Sequence, residues 1–169
     1  MILTHDQILA EIDAGRVVVE PFSADQVGPA SIDLHLDNEI RTLETSSKAL
    51  HLTEDTDFRD VSQRQTLDGP FELAPGQMIH GITRERITLP PDIAGRLEGR
   101  SRFARLGLVV HLTAGFVNPG VSNKQVLEIA NLANRPLTLH PGTRLCQLIL
   151  QRCEGSARYQ GRFAEQEKP

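Results

Sequence analysis

The sequence predicts a mainly β fold, a distorted β-barrel or jelly roll, in one domain that spans residues 1–169. Short runs of aliphatic and β-branched residues recur along the chain, and turn-forming pairs such as Pro75-Gly76 and Pro119-Gly120 separate them. Strands at this spacing are typical of barrels and jelly rolls. The length fits one domain, because a single core usually holds about 100–200 residues.

The first half of the chain predicts a helix, a strand and a long loop. Thr4 and Gln7 have the spacing of a helix capping box, and Gly15 marks the end of that helix. Residues Ser31–Leu36 alternate apolar and polar side chains, as a half-buried strand does. Thr45–Gly69 is polar and acidic with weak periodicity, so we expect a solvated surface loop there.

The second half predicts further strands and one short internal helix. Strand-like runs cover Met78–Ile82, Gln125–Ala130 and Arg144–Leu150. The stretch Gly99–Gly107 interrupts this β pattern with a helical segment, and its final glycine suits a helix C-cap.

Composition argues against several classes of protein. The formal net charge is −4, which disfavours the broad basic surface that nucleic-acid binding needs. No apolar run approaches the roughly 18 residues of a membrane-spanning helix, and the N-terminus lacks the pattern of a signal peptide. We therefore expect a cytoplasmic protein that binds neither nucleic acid nor membrane.

Cysteine content and motifs bear on redox and metal chemistry. Cys146 and Cys153 are expected to be reduced thiols, because a disulfide framework needs more cysteines and a secreted context. A zinc-dependent deaminase carries a His-x-Glu pair and a later Pro-Cys-x-x-Cys motif, and the sequence has neither. We therefore expect no zinc site.

The internal helical segment is rich in arginine. Arg100, Ser101, Arg102 and Arg105 fall within six consecutive residues. The planar fork of arginine matches phosphate oxygens, so one interpretation is a phosphate cradle. The other is a solvated basic turn, and the spacing alone leaves both open.

A single glutamate is the candidate catalytic base. Glu128 lies between Leu127 and Ile129 in a predicted strand, so its side chain points to the opposite face from theirs. A carboxylate in a pocket can take a proton from water. An exposed strand glutamate has no such role, and the pattern does not decide which face is buried.

Five segments stand out together in the following order along the chain: Gly28–Leu34, Gly99–Leu108, Thr113–Phe116, Leu127-Glu128 and Pro141–Gln147. In this order and at these separations they resemble the dCTP deaminase branch of the deoxyuridine triphosphatase superfamily, over nearly the whole chain. The resemblance implies a β-barrel protomer, a homotrimer with active sites between neighbouring subunits, Mg²⁺ that accompanies the nucleotide triphosphate, and deamination without zinc.

The resemblance also implies roles for individual residues. Glu128 matches the glutamate that activates water for attack at C4 of cytosine, and Ser101 and Arg105 match residues that position this water and the tetrahedral intermediate. Asp33 is expected to be structural at a subunit contact, and His111 is a candidate switch between active and dTTP-inhibited forms. The residues expected to contact the nucleotide are Arg100, Ser101, Arg102, Phe103, Ala104, Arg105, Ala114, Phe116, Asn118, Val126, Leu127, Gln147, Tyr159, Arg162 and Gln166, the last three within a C-terminal lid of about residues 155–169.

Asn118 is the main departure from the family, because many relatives carry an aspartate there and an amide cannot act as a base for triphosphate cleavage. On this ground we predict a zinc-independent dCTP deaminase that releases dUTP and ammonia. The pair Gly115-Phe116 looks closer to bifunctional relatives, so an enzyme that gives dUMP and pyrophosphate is the first alternative. A nucleotide-binding regulatory trimer without catalysis is the second.

Overall fold

The structure, a computed structural model, describes residues 1–111 and 113–169 and is mainly β, as predicted. Its two α-helices are α1 (His5–Asp13) and α2 (Ser101–Ala104), and short 3₁₀ turns cover Ala24–Gln26 and Phe58–Val61. The strands are β1 (Val18–Glu20), β2 (Ile32–Leu43), β3 (Ser62–Thr66), β4 (Phe71–Leu73), β5 (Met78–Thr88), β6 (Ile93–Gly99), β7 (Leu108–Val110), β8 (Phe116–Val117), β9 (Ser122–Asn131), β10 (Leu137–Leu139) and β11 (Arg144–Arg152).

Nine of these strands form one curled sheet with the shape of a half-barrel. The strand order is β7-β9-β5-β2-β11-β6-β8, with β1 paired to β5 and β3 paired to β2, and every pair is antiparallel. The register shifts within the β2–β5, β5–β9 and β2–β11 pairs. Such irregularities bend and twist a sheet, which lets it curl around its own core.

The core is aliphatic and lies inside the curl. Ile32, Leu34 and Leu36 are fully buried, as the alternation in Ser31–Leu36 predicts, and Ile8 of α1 covers one end. Cys146 belongs to this core, and its burial raises the pKa of the thiol. Both cysteines are free thiols, as expected.

Two local expectations need correction. The loop expected over Thr45–Gly69 contains β3, which pairs with the outer half of β2. Four of the five β3 side chains are exposed, so the strand lacks the alternation that would reveal it. The internal helix is also shorter than Gly99–Gly107. Gly107 follows it with φ +89° against the backbone of Ala133, where a Cβ atom would have no room.

Within the described ranges, 1–111 and 113–169, no helix is long and apolar enough to cross a membrane.

Candidate active site

A cavity of about 260 Å³ lies between β9, the segment that follows β7, and the C-terminal segment of the chain. Strand β9 supplies one wall because its alternation turns every second side chain away from the core. Seven residues that the sequence predicts for the site line this cavity: Ala114, Phe116, Asn118, Val126, Glu128, Tyr159 and Gln166.

Glu128 points into this cavity, which decides the question that the sequence left open. Its neighbours Leu127 and Ile129 are fully buried in the core, whereas Glu128 is half-buried on the other face of β9. The hydroxyl of Thr113 donates a hydrogen bond of 2.5 Å to Oε2 of Glu128. The carboxylate therefore has a fixed orientation and a second oxygen that can accept a proton.

The backbone of Glu128 is bonded to His111, which enters the cavity wall with φ +55°, a left-handed conformation. The N–H of His111 donates to the carbonyl of Glu128 at 2.7 Å, and the N–H of Glu128 donates to Nδ1 of His111 at 3.3 Å. Nε2 of His111 lies 2.9 Å from the carbonyl oxygen of Ala114. A neutral ring with its proton on Nε2 satisfies both contacts.

The C-terminal segment closes the cavity along the edge of β9. The N–H of Lys124 donates to the carbonyl of Gln166 at 3.1 Å, and Nε2 of Gln166 donates to the carbonyl of Lys124 at 3.1 Å. Nδ2 of Asn123 donates to the carbonyl of Phe163 at 2.7 Å. The N–H of Tyr159 donates to the carbonyl of Pro119 at 3.0 Å.

Two buried amides support this closure from β9. Asn123 is 3% exposed and Gln125 is 8% exposed, and Nε2 of Gln125 donates to Oδ1 of Asn123 at 2.6 Å. The buried pair holds the Asn123 amide so that its donor faces Phe163. Sequence reasoning assigned no role to either residue, although two amides at inward positions of a strand are a visible signal.

Three residues of this site had no predicted role: Thr113, although it lies in the predicted segment Thr113–Phe116, and Phe58 and His80. Phe58 and His80 line the cavity, and His80 lies directly opposite Glu128 on the neighbouring strand β5. A histidine inside the apolar run Met78–Ile82 was the one available signal for His80. Phe58 sits in a segment that the sequence assigns to a loop, so nothing local marks it.

The arginine-rich segment does not line the cavity of Glu128. Ser101 and Arg105 are exposed, and in the part of the chain that the structure describes their side chains make no hydrogen bond within the chain. Arg102 stacks over its neighbour Phe103 at 5.9 Å, and Phe103 packs against the core. Ala104 lines a separate, larger cavity beside Phe116.

Arg100 and Gln147 are engaged in contacts between strands. Arg100 forms an ion pair with Asp33 at 3.0 Å and donates to the carbonyl of Arg144 at 2.9 Å. Gln147 accepts a hydrogen bond of 2.8 Å from Ser31 and donates one of 3.1 Å to the carbonyl of Gly99. Asp33 therefore anchors Arg100 at the start of α2.

Two further predicted residues lie outside the cavity. The side chain of Leu127 is in the core, so only its backbone faces the site. Arg162 forms an ion pair with Asp57 at 2.5 Å and lines a neighbouring basic cavity. Hydrogen bonds from Arg59, together with the charges of Arg59 and Arg162, hold the pKa of Asp57 well below its ordinary value.

The described residues contain no group of three or more His, Cys, Asp or Glu side chains that could hold a metal ion.

Comparisons with known proteins define the class. A family model described as dCTP deaminase-like matches residues 2–153. A relative from Nocardioides sp., named "dCTP deaminase, dUMP-forming", is 42% identical over 178 aligned residues, which cover 100% of this chain and 93% of the relative. A relative of the same name from Mycolicibacterium vanbaalenii is 44% identical over 168 aligned residues, which cover 94% of this chain and 84% of the relative. The chain belongs to the dCTP deaminase-like family.

A solved structure shares the fold. The crystal structure of 2′-deoxycytidine 5′-triphosphate deaminase from Agrobacterium tumefaciens matches with a TM-score of 0.69 at 23% identity. The match covers 90% of this chain and 48% of that chain, so this chain spans about half the length of the solved protein.

These relatives overturn the first functional prediction. The sequence reasoning favoured a deaminase that stops at dUTP, because Asn118 replaces an aspartate. Relatives at 42% and 44% identity are nevertheless named for the formation of dUMP. The prediction of a dUTP-forming enzyme is therefore wrong, and it gave Asn118 too much weight against Gly115-Phe116.

Proposed function

We propose that this chain is a dCTP deaminase that carries its nucleotide through to dUMP. The observation that carries the proposal is the Glu128 carboxylate, which Thr113 orients inside a cavity large enough for a pyrimidine nucleoside. The names of relatives that align with the whole chain support the same reaction. In sum, dCTP and two water molecules give dUMP, ammonia and pyrophosphate.

In the proposed deamination, Glu128 takes a proton from a water molecule as the water oxygen bonds to C4 of cytosine. Glu128 passes this proton to N3, and the second water proton goes to the amino group as the C4–N bond breaks. Ammonia leaves, and Glu128 returns to its ionised form. The backbone around Ala114 and Val126 would distinguish the amino group of the base from a carbonyl.

The anion that develops in this reaction needs a donor and a positive charge. Ser101 and Arg105 are proposed for these roles, but both are exposed, on α2 and directly after it, and lie outside the cavity of Glu128. We therefore propose a homotrimer in which α2 of one copy completes the cavity of its neighbour. Fixed groups of this kind stabilise a transition state by about 2–4 kcal/mol each.

In the second step, water attacks the α-phosphorus and the bond to the oxygen bridging the α- and β-phosphorus breaks, so pyrophosphate leaves. Asn118 lines the cavity, and its amide can orient a hydroxyl of the sugar. Mg²⁺, bound by the phosphate oxygens, would neutralise part of their charge. Arg102 and Gln147 are proposed for the phosphates, and the segment of residues 155–169, with Tyr159 and Gln166, for closure over the nucleotide.

The test is to incubate the purified chain with dCTP and Mg²⁺ and to separate the nucleotides by ion exchange, with ammonia and pyrophosphate measured in parallel. We expect dUMP, ammonia and pyrophosphate in equal amounts. Free dUTP as the final product contradicts the proposal. Binding of dCTP without turnover would instead favour a nucleotide-binding regulatory trimer.

The proposed location for such an enzyme is the cytoplasm, and dTTP is a candidate inhibitor.

A further inference from the structure

Three polar side chains form a row across the sheet at the cavity. Arg41 of β2 lies opposite His80 of β5, and His80 lies opposite Glu128 of β9. Residues that are directly opposite in antiparallel strands place their side chains on the same face, with Cβ atoms about 4.5–5.5 Å apart. The imidazole of His80 therefore lies between a guanidinium and the proposed catalytic carboxylate.

The His80 ring is packed against an aromatic side chain, but one of its nitrogen atoms lacks a hydrogen bond among the described residues. It meets Phe58 edge to face, with ring centroids 5.6 Å apart and an interplanar angle of 76°. Its Nδ1 atom is buried and has no hydrogen-bond partner within residues 1–111 and 113–169. A buried nitrogen without a partner costs stability, and structural packing at this position needs no histidine. An apolar side chain would pack on Phe58 without that cost.

The charges around His80 compete. Burial is the largest influence and disfavours the imidazolium, as does the charge of Arg41, whereas the carboxylate of Glu128 favours it. A protonated His111 would disfavour it further. Together these influences lower the pKa of His80 below its ordinary value of 6.5. The ring is consequently neutral at neutral pH, and it takes up a proton only at a pH below the ordinary value.

We propose that His80 is a positioning residue for Glu128. The neutral ring of His80 leaves the Glu128 carboxylate free to accept a proton from water, whereas the imidazolium of His80 holds that carboxylate in an ion pair. An ion pair makes a carboxylate a weaker base and turns it away from the nucleotide. His80 then sets the acidic limit of deamination. This inference rests on the proposed function of Glu128.

The first test is the pH dependence of kcat for ammonia release in the wild-type chain and in His80→Gln. Glutamine keeps a polar side chain of similar reach and does not titrate. We expect the acidic limb of the variant to move to lower pH. The ratio of variant to wild-type rate should rise as pH falls, by about tenfold per pH unit below the midpoint of the histidine.

A purely structural role predicts a ratio that does not change with pH, and that result would overturn the inference. Phe58→Leu is a matched variant that should shift the acidic limb of the pH profile in the opposite direction. It keeps His80 but opens the ring to water, so we expect the acidic limb to move to higher pH. If His80→Gln fails to fold, an unmoved limb in Phe58→Leu still contradicts the inference.

A second measurement does not depend on turnover. In protein labelled with ¹³C-histidine, the resonance that disappears in His80→Gln identifies His80 among the six histidines. Its midpoint should lie below 6.5 in the wild type and lower still in Glu128→Gln, because the carboxylate favours the imidazolium. If the midpoint of His80 is the same in the wild type and in Glu128→Gln, the two side chains are not coupled and the inference is wrong. If the wild-type chain does not turn over dCTP, the proposed function is wrong. The NMR titration still tests the coupling between His80 and Glu128, so the two failures can be told apart.

Discussion

The cavity of Glu128 and the arginine segment of α2 belong to one predicted site, yet the chain holds them in different ways. Glu128 is oriented by Thr113, and its cavity is closed by the C-terminal segment of the same chain. Ser101 lies exposed at the start of a helix of four residues, and Arg105 lies exposed directly after it. A single copy thus encloses Glu128, which is proposed to act on the base, whereas Ser101 and Arg105, which are proposed to stabilise charge, face outward.

This division follows from the costs of burial. A carboxylate inside a cavity needs partners supplied by its own fold, because an unpaired buried charge is expensive. An exposed guanidinium is well hydrated and needs none until it is covered. Arg100 shows the contrast within the segment, since it is half-buried and already paired with Asp33.

The largest expected effect comes from removing the base. Glu128→Gln should lower kcat for deamination by about 10²–10⁴-fold, because the amide cannot accept the proton of water. Binding of dCTP, measured by calorimetry, should change little. Glu72→Gln, which alters an exposed strand glutamate, is the control. Near-normal turnover in Glu128→Gln would remove this residue from the mechanism.

Arg105→Ala tests whether the outward half belongs to the same reaction. We expect a loss of about 2–4 kcal/mol in transition-state stabilisation, seen in kcat. An effect confined to KM would make Arg105 a binding residue. The exposed Arg135 offers a matched control, Arg135→Ala.

Mixing the two variants tests the division between copies directly. Glu128→Gln and Arg105→Ala chains are unfolded together, refolded and assayed. If sites form between neighbours, about one quarter of all sites in a random equal mixture combine an intact Glu128 with an intact Arg105. Activity that stays at the level of the single variants would mean that each chain builds its own complete site.

A smaller effect is expected at the phosphate step. Asn118→Asp introduces a carboxylate that can orient or activate water, so pyrophosphate release from dUTP supplied as the substrate should become several-fold faster. Ammonia release from dCTP, measured in parallel, should change little. An unchanged rate with dUTP would show that residue 118 does not limit cleavage of the triphosphate.

The smallest effect concerns how the C-terminal segment is held on β9. Asn123→Ala removes the hydrogen bond to Phe163 and leaves the Gln125 amide without its acceptor. We expect a loss of about 1–3 kcal/mol in the free energy of unfolding, together with a modest rise in KM. Asn134→Ala, at an exposed asparagine, is the control. An unchanged KM would separate the stability of this segment from nucleotide binding.

The fold class and the family could both be predicted from the sequence, and the structure and the relatives confirm them, together with the prediction of an enzyme. The alternation of apolar and polar side chains in Ser31–Leu36 is a local pattern, so the strand could be predicted without a structure. Strand β3 was missed because its exposed side chains lack that alternation. The product was predicted wrongly because one substitution, Asn118, was weighed more heavily than the rest of the chain.

The candidates for the chemistry could be predicted from the sequence alone, because a residue type and its local pattern are properties of the chain. Glu128 stood out between two core residues, and the arginines stood out by their density. Which of these residues come together depends on the three-dimensional fold. The pairing of β5 with β9 places His80 opposite Glu128, and the path of the C-terminal segment brings Phe163 onto Asn123. Such contacts depend on strand register and chain closure, which arise from the whole core and leave no trace in a local pattern.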